Sequence, residues 1–594
     1  MGVEKPIIIN NTYRLKGYTS HIFTEKEKWF TKLISEIARG GTPYIFTPAK
    51  RQDSRFGTYA LEKCLKELFP DRDILRVDAD SVAEPRHPAL GIASNINEYL
   101  RANPGLIVIA SPTLETGIDI HIKGHFTAVF AYGNGVITEN SLRQAIARVR
   151  EPVPRCIYLN KDSKIRNGNG TSCPEEYIKR HTSTLNKLIK TSRKFDVEFL
   201  SEEDQEIFAQ DPSRVFTPML AMETLAKIAT RENAIAPDYR EHVIEQLKRE
   251  GHTVLPGELT PEEIELVGMD PKQLSATLTK SKDDLYKEHK AEVVQAEDFA
   301  TEEDFHLAKD RTMKSKEDRN QVKKHKLKDR YGEVDEHIVE LDDKKYYPKL
   351  VLLYYATLGH EKAQERDEAI AIPYMEKGAF LPPDITDKLI LEKANVARVL
   401  LNYAAKLGMD PTDGEKKYSN DSPEFIAFNA LLTEPKTREY LRDEAKLGDF
   451  SPESTPYNNV RKFYQLFGIR FKATKQRQSQ RKEKRHMLYQ FDPKAGVMPI
   501  KDKFFQHRLK KEQEWEQAKK EKQAEEGPLE KIKVLALGRF IEDPIVWPEG
   551  SRTPQLKMPR PRKQSETQVH PESSVIAQSS ISEPQPRQLE IVTV

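Results

Sequence analysis

The 594-residue chain is predicted to open with an α/β domain, a parallel β-sheet with helices on both faces, followed by mainly α-helical modules. Over residues 1–165, short apolar runs typical of buried strands alternate with amphipathic helical segments. From 166 to 495 the apolar residues recur at helical spacing. After residue 545 the chain is rich in Pro, Ser and Gln, which is typical of disorder.

The strands of the first domain are predicted from its apolar runs, which occupy residues 6–9, 44–47, 74–77, 106–110, 128–132 and 156–159. Helices are expected between them, at 25–39, 59–69 and 92–102. Repeated βα units with short connections favour a parallel sheet. Ligands of such sheets bind at the carboxyl ends of the strands, and here Ser111 to Asp119 directly follow the strand at 106–110.

Two segments of this domain carry residues suited to nucleotide chemistry. A strand at 107–110 runs into a turn with Gly117 and Asp119, and a helix about one βα unit later is predicted to carry Gln144, Arg148 and Arg150. Arginines that face a transferring phosphate stabilise its charge. The alternative is that the arginine pair belongs to a solvated helix face.

The order of these residues resembles motifs V and VI of the second RecA-like domain of superfamily 2 helicases. The resemblance implies that Gly117 and Asp119 line the nucleotide cleft and that Gln144, Arg148 and Arg150 take part in catalysis. It also implies that Ser111 and the residues after the strand at 44–47, Lys50 and Arg51, contact the nucleic-acid backbone. The Gln-x-x-small-Arg-x-Arg spacing is closest to origin-binding helicases, although Ala147 replaces the usual glycine and Glu151 stands where the commoner pattern has its last arginine.

The phosphate-binding half of such a motor is missing from the sequence. There is no Gly-Lys dipeptide and hence no phosphate loop. The candidate magnesium-binding acids, Asp335-Glu336-His337, follow a segment too polar for a buried strand, so we expect a surface helix or loop. ATP and Mg²⁺ are therefore expected only at an interface completed by another domain or chain, with none bound by this chain alone.

The helical half of the chain is divided by composition into a helical module at 166–280, a charged linker at 281–340 and a helical domain at 341–495. The lysines of the linker indicate either a solvated helix with i,i+4 ion pairs or direct DNA contact. They are Lys314, Lys316, Lys323, Lys324, Lys326 and Lys328. A charged helix is expected within 496–545 and a disordered tail at 546–594.

The helical domain ends in a helix followed by a basic hairpin. Thr455-Pro456 is a favourable helix start, the helix stops at Gly468, and two strands of alternating polarity at 469–473 and 487–491 flank a basic tip. This is the outline of a winged-helix DNA-binding domain, with the helix in the major groove. Its predicted phosphate contacts are Lys475, Arg477, Arg481, Lys482, Lys484 and Arg485. The alternative is an edge hairpin protected by lysines.

The composition of the chain argues against a membrane protein, a disulfide-stabilised protein and a zinc protein. No segment approaches the roughly 20 apolar residues of a membrane span. Three cysteines without metal-ligand spacing argue for a reducing cytoplasm. A zinc protein that uses His121, His125 and Cys156 is a weaker alternative, because CxxC pairing is lacking.

Over roughly residues 5–495 the chain resembles the C-terminal part of the cyanobacterial plasmid replication protein A family. Further matching positions are Asn233, Tyr239-Arg240 and Tyr347-Pro348-Lys349-Leu350. The resemblance implies ATP-driven DNA remodelling at a replication origin, together with a separate chain that carries a primase-like region and the first RecA-like domain. A split gene product, a truncated one or a fragment would fit a sequence that starts after the nucleotide-binding half. A non-catalytic origin-binding adaptor is the alternative function.

Overall fold

A seven-stranded, fully parallel β-sheet lies at the centre of the first half of the chain in this computed structural model. The structure describes residues 8–9, 15–114, 118–168, 170–191, 195–196, 202–210, 219–376, 388–475, 487–526, 532–533 and 591–592. The sheet and the helices of the described residues belong to the unit that spans Lys16–Gly538.

The strands of the sheet are β1 (Thr19–Phe23), β2 (Pro43–Phe46), β3 (Ile74–Val77), β4 (Ile107–Ala110), β5 (Ala128–Gly133), β6 (Arg155–Leu159) and β7 (Thr253–Pro256). Their order across the sheet is β3-β4-β2-β5-β6-β1-β7. The strands predicted at 44–47, 74–77, 106–110, 128–132 and 156–159 are therefore confirmed. Apart from Arg76 in β3, all are short apolar runs, as is usual for parallel strands that are buried on both faces.

Helices cover both faces of the sheet. One face packs against α1 (Lys26–Ala38) and α2 (Thr58–Leu68), and the other against α3 (Ile92–Ala102) and α4 (Glu139–Ile146). Alternate residues of one strand enter opposite cores, as the period of two requires; Val108 packs with α3 and Ile109 with α1 and α2. The predicted class, a parallel sheet with helices on both faces, is thus confirmed.

The α/β part extends well beyond residue 165, where its end was predicted. The segment assigned to a helical module, 166–280, supplies the edge strand β7, which pairs with β1 from Thr19↔Thr253 to Ile22↔Pro256. Neither strand was predicted, because β1 carries Ser20 and His21 and β7 is mostly exposed. The predicted first strand, 6–9, is two residues long and pairs antiparallel with Ile591–Val592 instead.

The remaining helices complete the α/β part and build the second half. They are α5 (Pro174–Thr191), α6 (Glu202–Gln210), α7 (Met219–Ile235), α8 (Tyr239–Glu250), α9 (Pro261–Val267), α10 (Pro271–Gln295), α11 (Glu302–Asp310), α12 (Lys316–Tyr331), α13 (Glu336–Asp343), α14 (Tyr347–Tyr355), α15 (Ala363–Glu376), α16 (Leu391–Lys406), α17 (Pro423–Thr433), α18 (Pro435–Asp443), α19 (Pro456–Gln465) and α20 (Lys501–Glu526). Of these, α8 packs on the sheet through Val243 and Leu247, and α10 packs on α1 and α2 through Leu274 and Leu278.

The charged segment 281–340 is a packed helical layer rather than a linker. Val293, Leu327 and Ile338 lie in the core of the second half, which extends to Phe504. The ion pairs of its lysines join different elements, whereas i,i+4 pairs were predicted: Lys316 to Glu292 at 2.5 Å, Lys323 to Asp343 at 2.8 Å and Lys328 to Asp298 at 2.6 Å. These lysines fasten α12 to its neighbours.

The helix and hairpin predicted near residue 468 are present. The Thr455 side chain accepts a hydrogen bond from the Asn458 backbone N–H, and α19 follows. The chain then turns at Gly468, with φ of +77°, into the antiparallel strands β8 (Phe471–Lys475) and β9 (Met487–Phe491). Tyr418 forms an isolated antiparallel bridge with Tyr489, so a third extended segment flanks β9.

Of the two segments predicted near the carboxyl terminus, the charged helix is observed and most of the tail is not described. The charged helix within 496–545 is α20, whereas the tail at 546–594 lies outside the described residues, apart from the strand at Ile591–Val592. Among the described helices, none has the length and apolar character needed to cross a membrane.

Gly468→Ala is expected to destabilise the second half strongly. A Cβ at this position would lie 2.5 Å from Cγ1 of Val497, which adds an overpacking cost of about 1–3 kcal/mol to the roughly 1–2 kcal/mol of a left-handed alanine. Gly91, with φ of +73° and nothing within 4 Å of such a Cβ, is the matched control. In urea unfolding, Gly468→Ala should lower the midpoint more than Gly91→Ala; equal shifts would contradict the packing around Gly468.

Candidate functional site

The two segments predicted to form a nucleotide site meet next to the sheet. Ile120 and Val149 form a parallel β-bridge, in which the Ile120 N–H donates to the Arg148 carbonyl and the Arg150 N–H donates to the Ile120 carbonyl, each at 3.0 Å. Both apolar side chains are buried against the sheet. The bridge therefore fixes the register of the Asp119 segment against the arginine segment.

This register brings Asp119 and the two arginines together. Arg150 Nε donates to Asp119 Oδ1 at 2.5 Å, and both side chains are 56% exposed. Arg148 Nη1 donates to the Ile118 carbonyl at 2.8 Å and is half-buried. One guanidinium thus faces solvent beside a carboxylate, while the other is held against the backbone.

The arginines do not lie on a helix, which corrects the sequence-based expectation. Helix α4 ends at Ile146, Ala147 is its C-cap, and the chain is extended by Val149. Gln144 stays on the last turn of α4 and is exposed. The bridge to Ile120 supplies backbone hydrogen bonds that a continued helix would have to break, so the helix stops.

A buried arginine that the sequence-based analysis missed holds the loop after the bridge. Arg155 is fully buried and donates to the carbonyls of Val149 at 2.9 Å, Glu151 at 3.2 Å and Val153 at 2.5 Å. Burial lowers the pKa of Arg155 to about 10. The signal in the sequence was an arginine at the start of an otherwise apolar strand.

Tyr18 adds a second clamp on the same loop. Its hydroxyl donates to the Arg150 carbonyl at 2.5 Å, and the Arg155 guanidinium lies 4.2 Å from the centre of its ring. Arg155 and Tyr18 thus fix the backbone on both sides of the Arg150 side chain while leaving that side chain in solvent.

Ser111 lies at the carboxyl end of β4, as predicted, and is buried. Its hydroxyl donates to the Thr113 hydroxyl at 3.1 Å. The turn that follows, 112–114, contacts α4, so this strand end lies near the arginine segment. Gly117, the other predicted residue of this turn, is outside the described residues.

Lys50 and Arg51 follow β2 at the same edge of the sheet, and each forms an ion pair with an aspartate. Lys50 contacts Asp80 at 2.8 Å and Arg51 contacts Asp53 at 2.6 Å, with the two basic side chains nearly half exposed. Arg51 also donates to the Asp343 carbonyl at the end of α13. Together with α10 and α12 these residues line a cavity of about 210 Å³.

The predicted phosphate contacts of the hairpin are only partly visible. Lys475 ends β8, opposite Met487 of β9. The rest of the basic tip, Arg477, Arg481, Lys482, Lys484 and Arg485, lies outside the described residues.

The weaker alternatives find no support in the described part of the chain. Asp335 is the N-cap of α13 and accepts from the Ile338 N–H at 2.7 Å, which confirms that this acidic triplet belongs to a surface helix. His125 contacts the Leu106 carbonyl at 3.1 Å. No group of three His, Cys, Asp or Glu side chains among these residues is arranged to hold a metal ion.

The chain is similar to an uncharacterized protein of Picosynechococcus sp., with 30% identity over 412 residues. The match covers 67% of this chain and 38% of the relative, so the chain spans well under half the length of the curated relative it matches. No protein-family model and no solved structure matches the chain.

Arg150→Ala and Arg155→Met are expected to differ sharply in stability. The exposed Arg150–Asp119 pair should contribute at most about 1 kcal/mol. Arg155→Met leaves the buried Val149 carbonyl without its donor, at roughly 1–3 kcal/mol, and also removes the donor from the half-buried carbonyls of Glu151 and Val153. Thermal unfolding of both variants checks this. A large loss in Arg150→Ala would mean that the pair is mainly structural.

Proposed function

We propose that the chain is the C-terminal part of a replication-initiation helicase of superfamily 2, similar to cyanobacterial plasmid replication protein A. It binds DNA and supplies the arginine side of an ATP cleft, and a partner supplies the phosphate loop. The observation that carries the proposal is the Ile120–Val149 bridge, which joins Asp119 and Arg150 beside a parallel sheet. In the proposal this sheet is the second RecA-like domain.

The Asp119–Arg150 pair is exposed, so a phosphate can reach the Arg150 guanidinium. An exposed ion pair contributes about 0–1 kcal/mol, so Arg150 can exchange a carboxylate for a phosphate oxygen at little cost. Guanidinium groups bind phosphates through bidentate hydrogen bonds. Arg148, Gln144 and the turn with Gly117 complete this side of the cleft. ATP and Mg²⁺ are held between it and the partner.

DNA binding is assigned to the edge of the sheet and to the helix–hairpin unit. In the proposal, α19 and the hairpin form a winged helix, and the bridge between Tyr418 and Tyr489 beside β9 supports this. Basic side chains of the hairpin, from Lys475 to Arg485, neutralise phosphates. Lys50 and Arg51 contact the backbone of a strand near the sheet, where the two cations exchange carboxylate partners for phosphates, while the buried Ser111 supports the strand end next to them.

The partner is a separate chain with a primase-like region and a first RecA-like domain. The relative from Picosynechococcus extends far beyond the matched region, which leaves room for such domains in a related protein. A chain that works on a replication origin acts in the cytoplasm, and the proposal includes no membrane partner.

A non-catalytic DNA-binding adaptor is the second candidate. It is favoured by the internal contacts of the arginines, since Arg148 is bonded to the Ile118 carbonyl and Arg150 to Asp119 without any nucleotide. In that case the α/β part is a scaffold that positions the helix–hairpin unit.

The two candidates predict different ATPase activities. The chain, mixed with the product of the neighbouring upstream reading frame, is expected to hydrolyse ATP in a DNA-stimulated manner. Arg148→Ala should abolish the restored rate, because it removes charge stabilisation worth several orders of magnitude in related phosphoryl transfer, about 10³–10⁵. Arg101→Ala, an exposed arginine on α3, is the matched control and should keep the rate.

An unchanged rate in Arg148→Ala would contradict its role. DNA binding without ATPase in any such mixture would favour the adaptor.

A further inference from the structure

The exposed face of α19 carries side chains of the types that recognise bases. Asn458, Arg461 and Gln465 are all exposed, while Val460 and Phe463 on the opposite face are fully buried. We propose that these three exposed side chains recognise base pairs in the major groove, so that the chain binds a defined double-stranded DNA sequence. This inference rests on the proposed DNA-binding function and names the residues that give it specificity.

The spacing of the three residues places them along one line. Positions i, i+3 and i+7 lie on the same side of an α-helix and span roughly 10 Å along its axis at 1.5 Å per residue. That length corresponds to about three base-pair steps of 3.4 Å. A single helix in the groove can therefore present each side chain to a different base pair.

The chemistry of the three side chains fits bases better than phosphates. Asn and Gln form paired hydrogen bonds with adenine, and Arg forms them with guanine. Among the described residues, none hydrogen-bonds the side-chain amide of Asn458 or Gln465. The helix itself, 456–465, has no Asp or Glu that would repel DNA.

Arg461 is positioned by the hairpin. Its guanidinium lies 5.5 Å from the centre of the Tyr457 ring, which stacks on Tyr489 of β9. The Tyr489 backbone in turn exchanges hydrogen bonds of 2.7 and 2.8 Å with Tyr418. The strands thus hold the arginine over a fixed aromatic platform before any DNA binds.

Lys462, the remaining basic residue of α19, is engaged elsewhere. Its ammonium donates to the Asp449 carbonyl and lies 5.6 Å from the Phe450 ring. This contact stabilises the loop between α18 and α19. We therefore exclude Lys462 from the base-recognising set.

Selection from a duplex pool with a randomised centre, using the full chain, tests this directly. The wild type is expected to enrich one short motif that contains both guanine and adenine positions. Arg461→Ala should reduce the preference at one guanine by roughly 10- to 100-fold, the value of one bidentate contact. Asn458→Ala and Gln465→Ala should each relax a different adenine. Arg101→Ala, far along the chain on α3, is the control and should enrich the wild-type motif.

Affinity for a non-selected duplex, measured at two salt concentrations, separates this inference from the proposed function. The α19 variants should keep both the non-specific affinity and its salt dependence, because phosphate contacts set those. Binding without any enriched motif, or the same motif in all α19 variants, would overturn the inference and leave DNA binding in place. Absence of all duplex binding, with this face then a protein-docking surface, would overturn both.

Discussion

The bridge between Ile120 and Val149 is the interaction on which the proposed chemistry depends. Two backbone hydrogen bonds of 3.0 Å set the register, and the buried side chains anchor it to the sheet. Because of that register, Asp119 meets Arg150 and Arg148 reaches the Ile118 carbonyl. A shift by one residue would turn the arginines to the other side of the extended segment.

The sheet provides this bridge with a rigid base. Both faces of the sheet are covered by packed helices. On one face, α10 packs on α1 and α2, and its Val293 lies in the hydrophobic core of the helical half. This helix therefore connects the sheet to the helical half. The lysine-rich α12 adds ion pairs to the same junction, including Arg319 with Glu84. The charged helices therefore connect the sheet to the core that carries α19 and the hairpin.

The sequence predicted the inner strands of the sheet well because their environment is uniform. The strands at 107–110 and 156–159 are apolar on both faces, and a pattern of apolar residues reveals them without tertiary information. β1 was missed since the polar Ser20 is satisfied by His252, a residue distant in sequence, through a 2.9 Å hydrogen bond. β7 was missed because it is an exposed edge strand.

Sequence-based prediction of the arginine segment failed for the same reason, because a contact between distant residues decides its structure. The sequence predicted a helix that carries Gln144, Arg148 and Arg150, but the helix ends at Ile146, because its end depends on the bridge to Ile120. The contribution of Arg155 was hidden for the same reason, because its acceptors become visible only in the folded loop. The helix stop at Gly468, by contrast, followed from local end signals, and the surface position of Asp335 followed from the polarity of the segment before it.

Protection of the arginines from chemical modification tests the central claim most directly. The chain would be treated with phenylglyoxal in the presence of DNA and the chain that carries the phosphate loop, with and without a non-hydrolysable ATP analogue. Mass spectrometry would then quantify the modification of each arginine. The proposed cleft predicts that the nucleotide slows modification of Arg150 and leaves Arg101 unchanged. Equal modification of Arg150 with and without nucleotide would contradict it.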